Sequence, residues 1–577
     1  MISKVLIAFG VAVLLHAAPD TRLADAAQQG DRAAVRSLLK LHASVNGAQG
    51  DGSTALHWAA YRDDLEMAQL LVQSGADAKA ITREGAITPL FMACTNGSAS
   101  MIDLLLNAGS PLNATKSNGT TPLMTAAASG SAAAVKLLLD RGADINAKED
   151  AHGQTALMFA AALDRAEVVK LLLQRGAAAN LTTKSVKLER VRFDQDGNVI
   201  PVAAAGGRRG AVAAAPATPA AASETPVPGS GRAGRAGDIA AQIRQVGPSF
   251  MGGMTALLYT ARDGQMNAAR ALLDGGADVN KSSDGEGESP LVMAISNGHL
   301  EMARYFLDHG ADPNLVGIAG LAPLYAAIDV QWAPHAWFPQ PSTEQEKVSY
   351  LDLMKALLAK GAHVDAKLGK KIWFRSFTHD VTWIDPAGAT AFWRAAQSWD
   401  APAMHLLIDA GADPKVVSTA GDTALMAAAG IGWGANFTVN APYPAFDAVK
   451  YCVELGIDVN VADARGYTAL HGAAYLGNNE MVNFLVSKGA KVDVKTKAGD
   501  TVADMANGPT RFGLPHPETV ALLEKLGSAN SHNCRSDQCL VAPKEDTAAP
   551  RRGAAPAPVP PPAEKPAATT PPKSGGR

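Results

Sequence analysis

The stretch TALHWAAYRDDLEMAQLLVQSGADAK occupies Thr54–Lys79. It opens on a hydroxyl residue, runs through small apolar residues, breaks, resumes as a Leu-rich run and stops at a glycine. A leading Thr caps a helix through its side-chain oxygen. Small Ala residues let a neighbouring helix come close, and the Leu-rich run gives a second helix one buried stripe. Gly75 takes the left-handed conformation that ends this second helix. The residues after it turn the chain into a projecting finger.

The pattern recurs as TPLFMAC (88–94), TPLMTAA (121–127), TALMFAA (155–161), TALLYTA (255–261), SPLVMAI (289–295), APLYAAI (322–328), TAFWRAA (390–396), TALMAAA (423–429) and TALHGAA (468–474). Where regular, the starts are 33 or 34 residues apart, and capping residue to glycine is 21, as in Thr54 to Gly75 and Thr468 to Gly489. Counted back 21 residues from His42, the ruler reaches Thr21 and the degenerate segment TRLADAA. Thr501 opens a last repeat that ends near Gly527. A 33-residue period with this signature resembles the ankyrin repeat. The resemblance implies an all-α ankyrin-repeat solenoid of about twelve repeats with long insertions. Repeats 1–5 take residues 21–183, and repeats 6–12 take 254–528. It also implies a concave face, lined by first helices and fingers, that holds a protein or peptide.

The chain has 577 residues and a formal net charge of −3, which argues against nucleic acid as a partner. Lys4 precedes the apolar run Val5–Leu15, so residues 1–18 read as a signal peptide. No later stretch is long and apolar enough to span a membrane. The expected location is exported, periplasmic or extracellular, in a bacterial-type envelope. Residues 529–577 read as a disordered Pro/Ala-rich tail.

Breaks in the ruler locate insertions. Thr155 to Thr255 is 100 residues, and the surplus forms a low-complexity linker over 184–253. That linker is expected to bend or interrupt the array. Its first part, TTKSVKLERVRFDQDGNVIPV, has alternating Val and Phe about Asp-Gly-Asn and predicts a small hairpin. Between Lys184 and Arg244 there are nine basic and five acidic residues, so the linker is basic and the solenoid acidic. Shorter insertions follow in three consecutive repeats: two between helices (329–347 and 430–446) and one in a finger (370–388). They hold five of the eight Trp residues, although aromatics are 5% of the chain. The framework does not need these rings. They either wall the groove as a binding hot spot or pack together as a private core. The expected binding residues are Trp332, Trp337, Phe338, Trp373, Phe374, Phe377, His379, Trp383, Trp433 and Phe437. Trp393 and Trp399, in or beside a repeat helix, read as structural.

His57 and His471, fourth in their signatures, read as structural hydrogen-bonding groups. His379, Asp380 and Asp385, with His335, form the one cluster suited to acid–base or metal chemistry, and no catalytic fingerprint accompanies it. Cys94 and Cys452 read as core thiols. Cys534 and Cys539 suit a small disulfide loop in an oxidising compartment. The resulting expectation is a non-catalytic interaction scaffold without cofactor or metal. The alternatives are a metal-dependent or hydrolytic site on His379, Asp380 and Asp385, and a purely structural spacer.

Overall fold

The structure is a computed structural model that describes residues 20–188, 192–193, 199–200, 250–285, 287–335, 341–372, 384–434, 438–509, 513–532 and 534–536. Residues 1–18, read as a signal peptide, lie outside these.

The described residues hold 24 α-helices, which fall in chain order into helix–turn–helix pairs. The first pair is Arg22–Gln29 with Arg32–Lys40, and the last is Val502–Ala506 with Pro517–Lys525. Local chemistry sets the helix starts. Thr121, Thr155, Thr255, Ser289, Thr390, Thr423 and Thr501 each accept an amide of the first turn through the side-chain oxygen. Asp31, Asp64, Ser98, Ser131, Asp400 and Asn478 do the same for second helices. Gly142 has φ +91° and open space where a Cβ would sit. Backbone conformation, not crowding, therefore requires glycine there. His42, at the corresponding place in the first repeat, adopts φ +53° despite its side chain.

First helices touch the first helices of neighbouring repeats along the whole array. Their contact residues include Ala59, Ala93, Ala126 and Ala160, all fully buried. Second helices meet through longer residues such as Leu71, Leu105 and Leu138. Finger turns are stitched by asparagines. Asn46 Oδ1 accepts Asp77 N–H at 2.7 Å, and Asn280 and Asn460 repeat the bond at 2.8 and 2.9 Å.

Of the two expectations for the long insertion, an interruption does not occur: the stack runs on across it. Ala156–Ala162 packs on Ala256–Asp263, and Ala166–Gln174 packs on Met266–Asp274. Asn180 Oδ1 accepts Asp278 N–H at 2.9 Å, so the asparagine stitch crosses the seam. Gln154 Nε2 donates to the Tyr259 hydroxyl at 2.9 Å. The insertion leaves and returns through a neck in which Ser185–Lys187 pairs antiparallel with Phe250–Gly252. Loop ends held this close let the array ignore what lies between them. Beyond the neck, Arg192–Phe193 pairs with Val199–Ile200, the hairpin read from Asp-Gly-Asn.

Asp164 reinforces the same seam. Gln265 supplies no side-chain cap to the helix it precedes. Asp164, in the preceding repeat, reaches across instead, accepting Ala268 N–H at 2.7 Å and Asn267 Nδ2–H at 2.9 Å. Asp164→Ala is expected to cost about 1–2 kcal/mol, as lost caps do. Chemical denaturation would check this, and an unchanged midpoint would mean the capping bond contributes nothing.

At the far end, residues 529–532 and 534–536, read as the start of the tail, lie on the last repeat. Ser531 N–H and Oγ donate to Asp504 Oδ1 at 2.8 and 2.7 Å, and Arg535 Nη2 pairs with Asp500 at 3.0 Å. Cys534 is disulfide-bonded, and Cys539 lies outside the described residues.

Candidate functional site

The signature's fifth position varies along the array, and in repeat 6 it is the buried Tyr259. In repeats 2–5 and 7 it is the half-buried residue among buried neighbours: Trp58, Met92, Thr125, Phe159 and Met293. These side chains make a mostly apolar series on the first helices of their repeats. Trp58 is oriented by its indole N–H, which donates to Gln49 Oε1 at 2.8 Å. Tyr61, 57% exposed, stands edge-on to it with ring centroids 5.8 Å apart. In repeats 8–11 the fifth residue is buried instead: Ala326, Arg394, Ala427 and Gly472.

The three aromatic insertions arise in repeats 8–10, and repeat 9 anchors all of them. Asp400 caps the second helix of that repeat, accepting Ala403 N–H at 3.1 Å. Its other oxygen accepts the indole N–H of Trp332 at 2.7 Å and the hydroxyl of Tyr350 at 2.8 Å. Trp332 begins the first loop insertion and Tyr350 follows its end, so one fully buried carboxylate holds both ends of the loop. Burial, together with the Asp400 charge, pushes the Tyr350 hydroxyl far above its usual range. The second loop is held through Asn440. Its Oδ1 accepts Trp433 Nε1–H at 3.1 Å, and its Nδ2 donates to the Gln397 carbonyl at 3.1 Å. The finger insertion closes at Leu368, whose N–H donates to the Ala389 carbonyl at 2.9 Å.

The finger insertion and the second loop insertion, which belong to different repeats, meet in the structure. Ile384 of the finger insertion is buried against Gly432 of the second loop, where a Cβ would lie 2.3 Å from Ile384 Cγ2. Only glycine permits that approach.

Beneath the first loop lies a buried ion pair, with Arg394 Nε 3.0 Å from Asp329 Oδ1 and both residues 5% exposed. Arg394 also donates to the Trp332 carbonyl at 2.7 Å and to Ser398 Oγ. Burial raises Tyr325 on the same helix well above the usual phenol range. Burial also lowers Lys371 to about 8, a fall that the Asp385 charge opposes.

Among the expected binding residues, the structure places Trp332 and Trp433. Both are half-buried, and their indole N–H groups are used within the protein. Trp337, Phe338, Trp373, Phe374, Phe377, His379, Trp383 and Phe437 lie outside the described residues, as does Asp380. Asp385 is exposed, and its Oδ1 accepts Ala387 N–H at 3.0 Å in a local turn. Among the described residues, no group of three or more His, Cys, Asp or Glu side chains is placed to hold a metal ion. No helix among them is long and apolar enough to cross a membrane.

Trp393 is fully buried and donates to the Asp422 carbonyl, and Trp399 donates to the Ala428 carbonyl. His57 Nδ1 accepts the Thr54 N–H at 3.2 Å, which leaves the Nε2 proton for the Ile87 carbonyl at 3.0 Å. Burial lowers its pKa, and takes that of His471 down to about 4, so both imidazoles stay neutral near pH 7. Sequence reading missed the first-helix series of Trp58, Met92 and Phe159 and the Asp329–Arg394 pair. The signal for both was residue type at a fixed register position: large side chains at position five, and a lone charge among Ala in TAFWRAA.

Comparison with known proteins agrees with this architecture. A family model of ankyrin repeats in three copies matches residues 6–82, 23–116, 90–184, 237–316 and 392–496. Relatives include the rice (Oryza sativa subsp. japonica) Potassium channel AKT3, 41% identical over 86 residues, which are 15% of this chain and 9% of the channel. The human (Homo sapiens) Ankyrin repeat and SOCS box protein 3 is 34% identical over 93 residues, 16% of this chain and 18% of that protein. Ankyrin repeat-containing protein P1E11.10 of Schizosaccharomyces pombe is 33% identical over 55 residues, 10% of this chain and 27% of that one. The chain thus spans only a minor part of each relative. With more than half of its residues matched by that model, and its helices paired and stacked at the spacing the repeats require, the chain belongs to the ankyrin repeat family.

Proposed function

We propose that the protein is a non-catalytic scaffold of the cell envelope that holds a protein or peptide on its concave face. The signal-like N-terminus supports the compartment. The single observation that carries the reading is the first-helix series of Trp58, Met92, Thr125, Phe159 and Met293. A stack needs small residues on its first helices, and four of these five side chains are large and only half-buried, so each leaves apolar surface open beside the core it packs on. In this reading the aromatic insertions of repeats 8–10 add a hot spot for the partner, with Trp373 and Trp383 as its anchors.

The test is capture from an envelope extract by full-length protein, followed by affinity measurement with the partner so found. Trp58→Ala with Phe159→Ala is expected to weaken binding at least about tenfold, as aromatic anchors do, with the protein still folding cooperatively at a modestly lower midpoint. Trp373→Ala with Trp383→Ala examines the aromatic insertions in the same way. If both double variants bind as the parent does, the protein is a spacer or uses another face.

A further inference from the structure

Two carboxylates with no exposed side-chain surface meet where the finger of the tenth repeat abuts that of the eleventh. The Asp463 carboxylate acts directly on Asp422 and disfavours its charge. One guanidinium serves both: Arg465 Nη2 lies 2.7 Å from Asp463 Oδ2 and 3.3 Å from Asp422 Oδ1. Asp463 is well supplied with donors. It accepts Arg465 N–H at 2.9 Å, Tyr467 N–H at 2.7 Å and Arg465 Nε–H at 2.9 Å. Asp422 receives the Ser418 hydroxyl at 2.8 Å. On its other side Trp393 brings an indole N–H to the Asp422 backbone carbonyl, and no charge. His471, whose charge would act on Asp463, is kept neutral near pH 7 by burial. One cation facing two enclosed carboxylates leaves a negative charge unmatched. Like charges this close favour sharing a proton.

We infer that Asp422 and Asp463 form a pH-sensitive latch between the tenth and eleventh repeats, closed while they share one proton and loosened when it leaves. The proton resides on Asp422, because the oxygens of Asp463 already hold N–H donors. Burial, with Asp463 adding to it, raises Asp422 from 3.8 to about 6. The folded value lies above the unfolded one, so the stabilisation is complete below 3.8 and is lost as pH rises through about 6. The latch also touches the aromatic insertions, since Thr419 N–H in the same finger donates to the Ala387 carbonyl at 2.7 Å.

The test is hydrogen exchange by mass spectrometry on the full chain at pH 5 and pH 8, corrected for intrinsic rates. The peptides of interest cover residues 418–423 and 463–468. The reference is Asp422→Asn, whose amide donates the hydrogen bond at every pH. Folded His471 is neutral at both pH values, and what it contributes on opening is common to both proteins, so its effect cancels in their ratio. Relative to this variant, the parent is expected to lose about tenfold in protection between pH 5 and pH 8. A ratio that stays constant overturns the latch. Asp463→Asn provides an independent check, since it leaves a lone carboxylate beside Arg465. Burial still acts on Asp422 there, so the pH-dependent loss must become clearly smaller than in the parent, and an undiminished loss would overturn the shared proton.

Discussion

Arg394→Met is expected to remove about 3–5 kcal/mol of stability, because it leaves the Asp329 carboxylate buried without its cation. The partners lie 3.0 Å apart with side chains 6% and 7% exposed, so water offers little compensation. The Trp332 carbonyl and Ser398 Oγ lose their donor at the same time. Solenoid repeats are stabilised mainly by their neighbours, so the damage concentrates in repeats 8–10. The expected result is a split transition in urea, with the C-terminal repeats unfolding first and the repeats before the long insertion keeping their midpoint. Asp329→Leu combined with Arg394→Met is expected to recover most of the loss, since a buried pair replaced by apolar side chains of similar volume is often neutral or better. A single variant that melts as the parent does would show that the pair holds nothing together. A double variant no better than the single one would shift the cost from the stranded charge to packing.

This pair also marks how far the sequence could be read. The 21-residue ruler placed the helix caps and terminating glycines because each is a local device: a hydroxyl one turn from its amide, a glycine at positive φ. It reached even His42, which holds φ +53° where other repeats use glycine. Asp329 and Arg394 are 65 residues apart and belong to different repeats, so no local pattern joins them. The neck of the long insertion was hidden for a similar reason. Phe250–Gly252 has no alternating pattern of its own and is a strand because Ser185–Lys187 pairs with it. Likewise, the three aromatic insertions could be counted and assigned to repeats from spacing. That Ile384 crosses to Gly432 depends on a close approach visible only in three dimensions.

Asp400 carries the second large effect. Asp400→Ala is expected to destabilise repeats 8–10 by on the order of 4 kcal/mol, because three donors lose one acceptor in a closed place. The indole N–H of Trp332, the hydroxyl of Tyr350 and the amide of Ala403 all depend on this carboxylate. The first two fix the ends of the loop insertion, and the third starts a helix. Asp400→Asn separates these roles. One amide oxygen can still accept a bond, but the NH2 group must face a donor, so about half of the loss should remain. The two transitions should also differ in what they report. Arg394→Met breaks the contact between the eighth and ninth repeats, whereas Asp400→Ala frees the loop itself. Tryptophan fluorescence from Trp332 and its neighbours should therefore shift to the red in native buffer for Asp400→Ala, before any global unfolding. If Asp400→Ala kept the parent's emission and midpoint together, the loop would be ordered by its own packing, and the carboxylate would be no more than a helix cap.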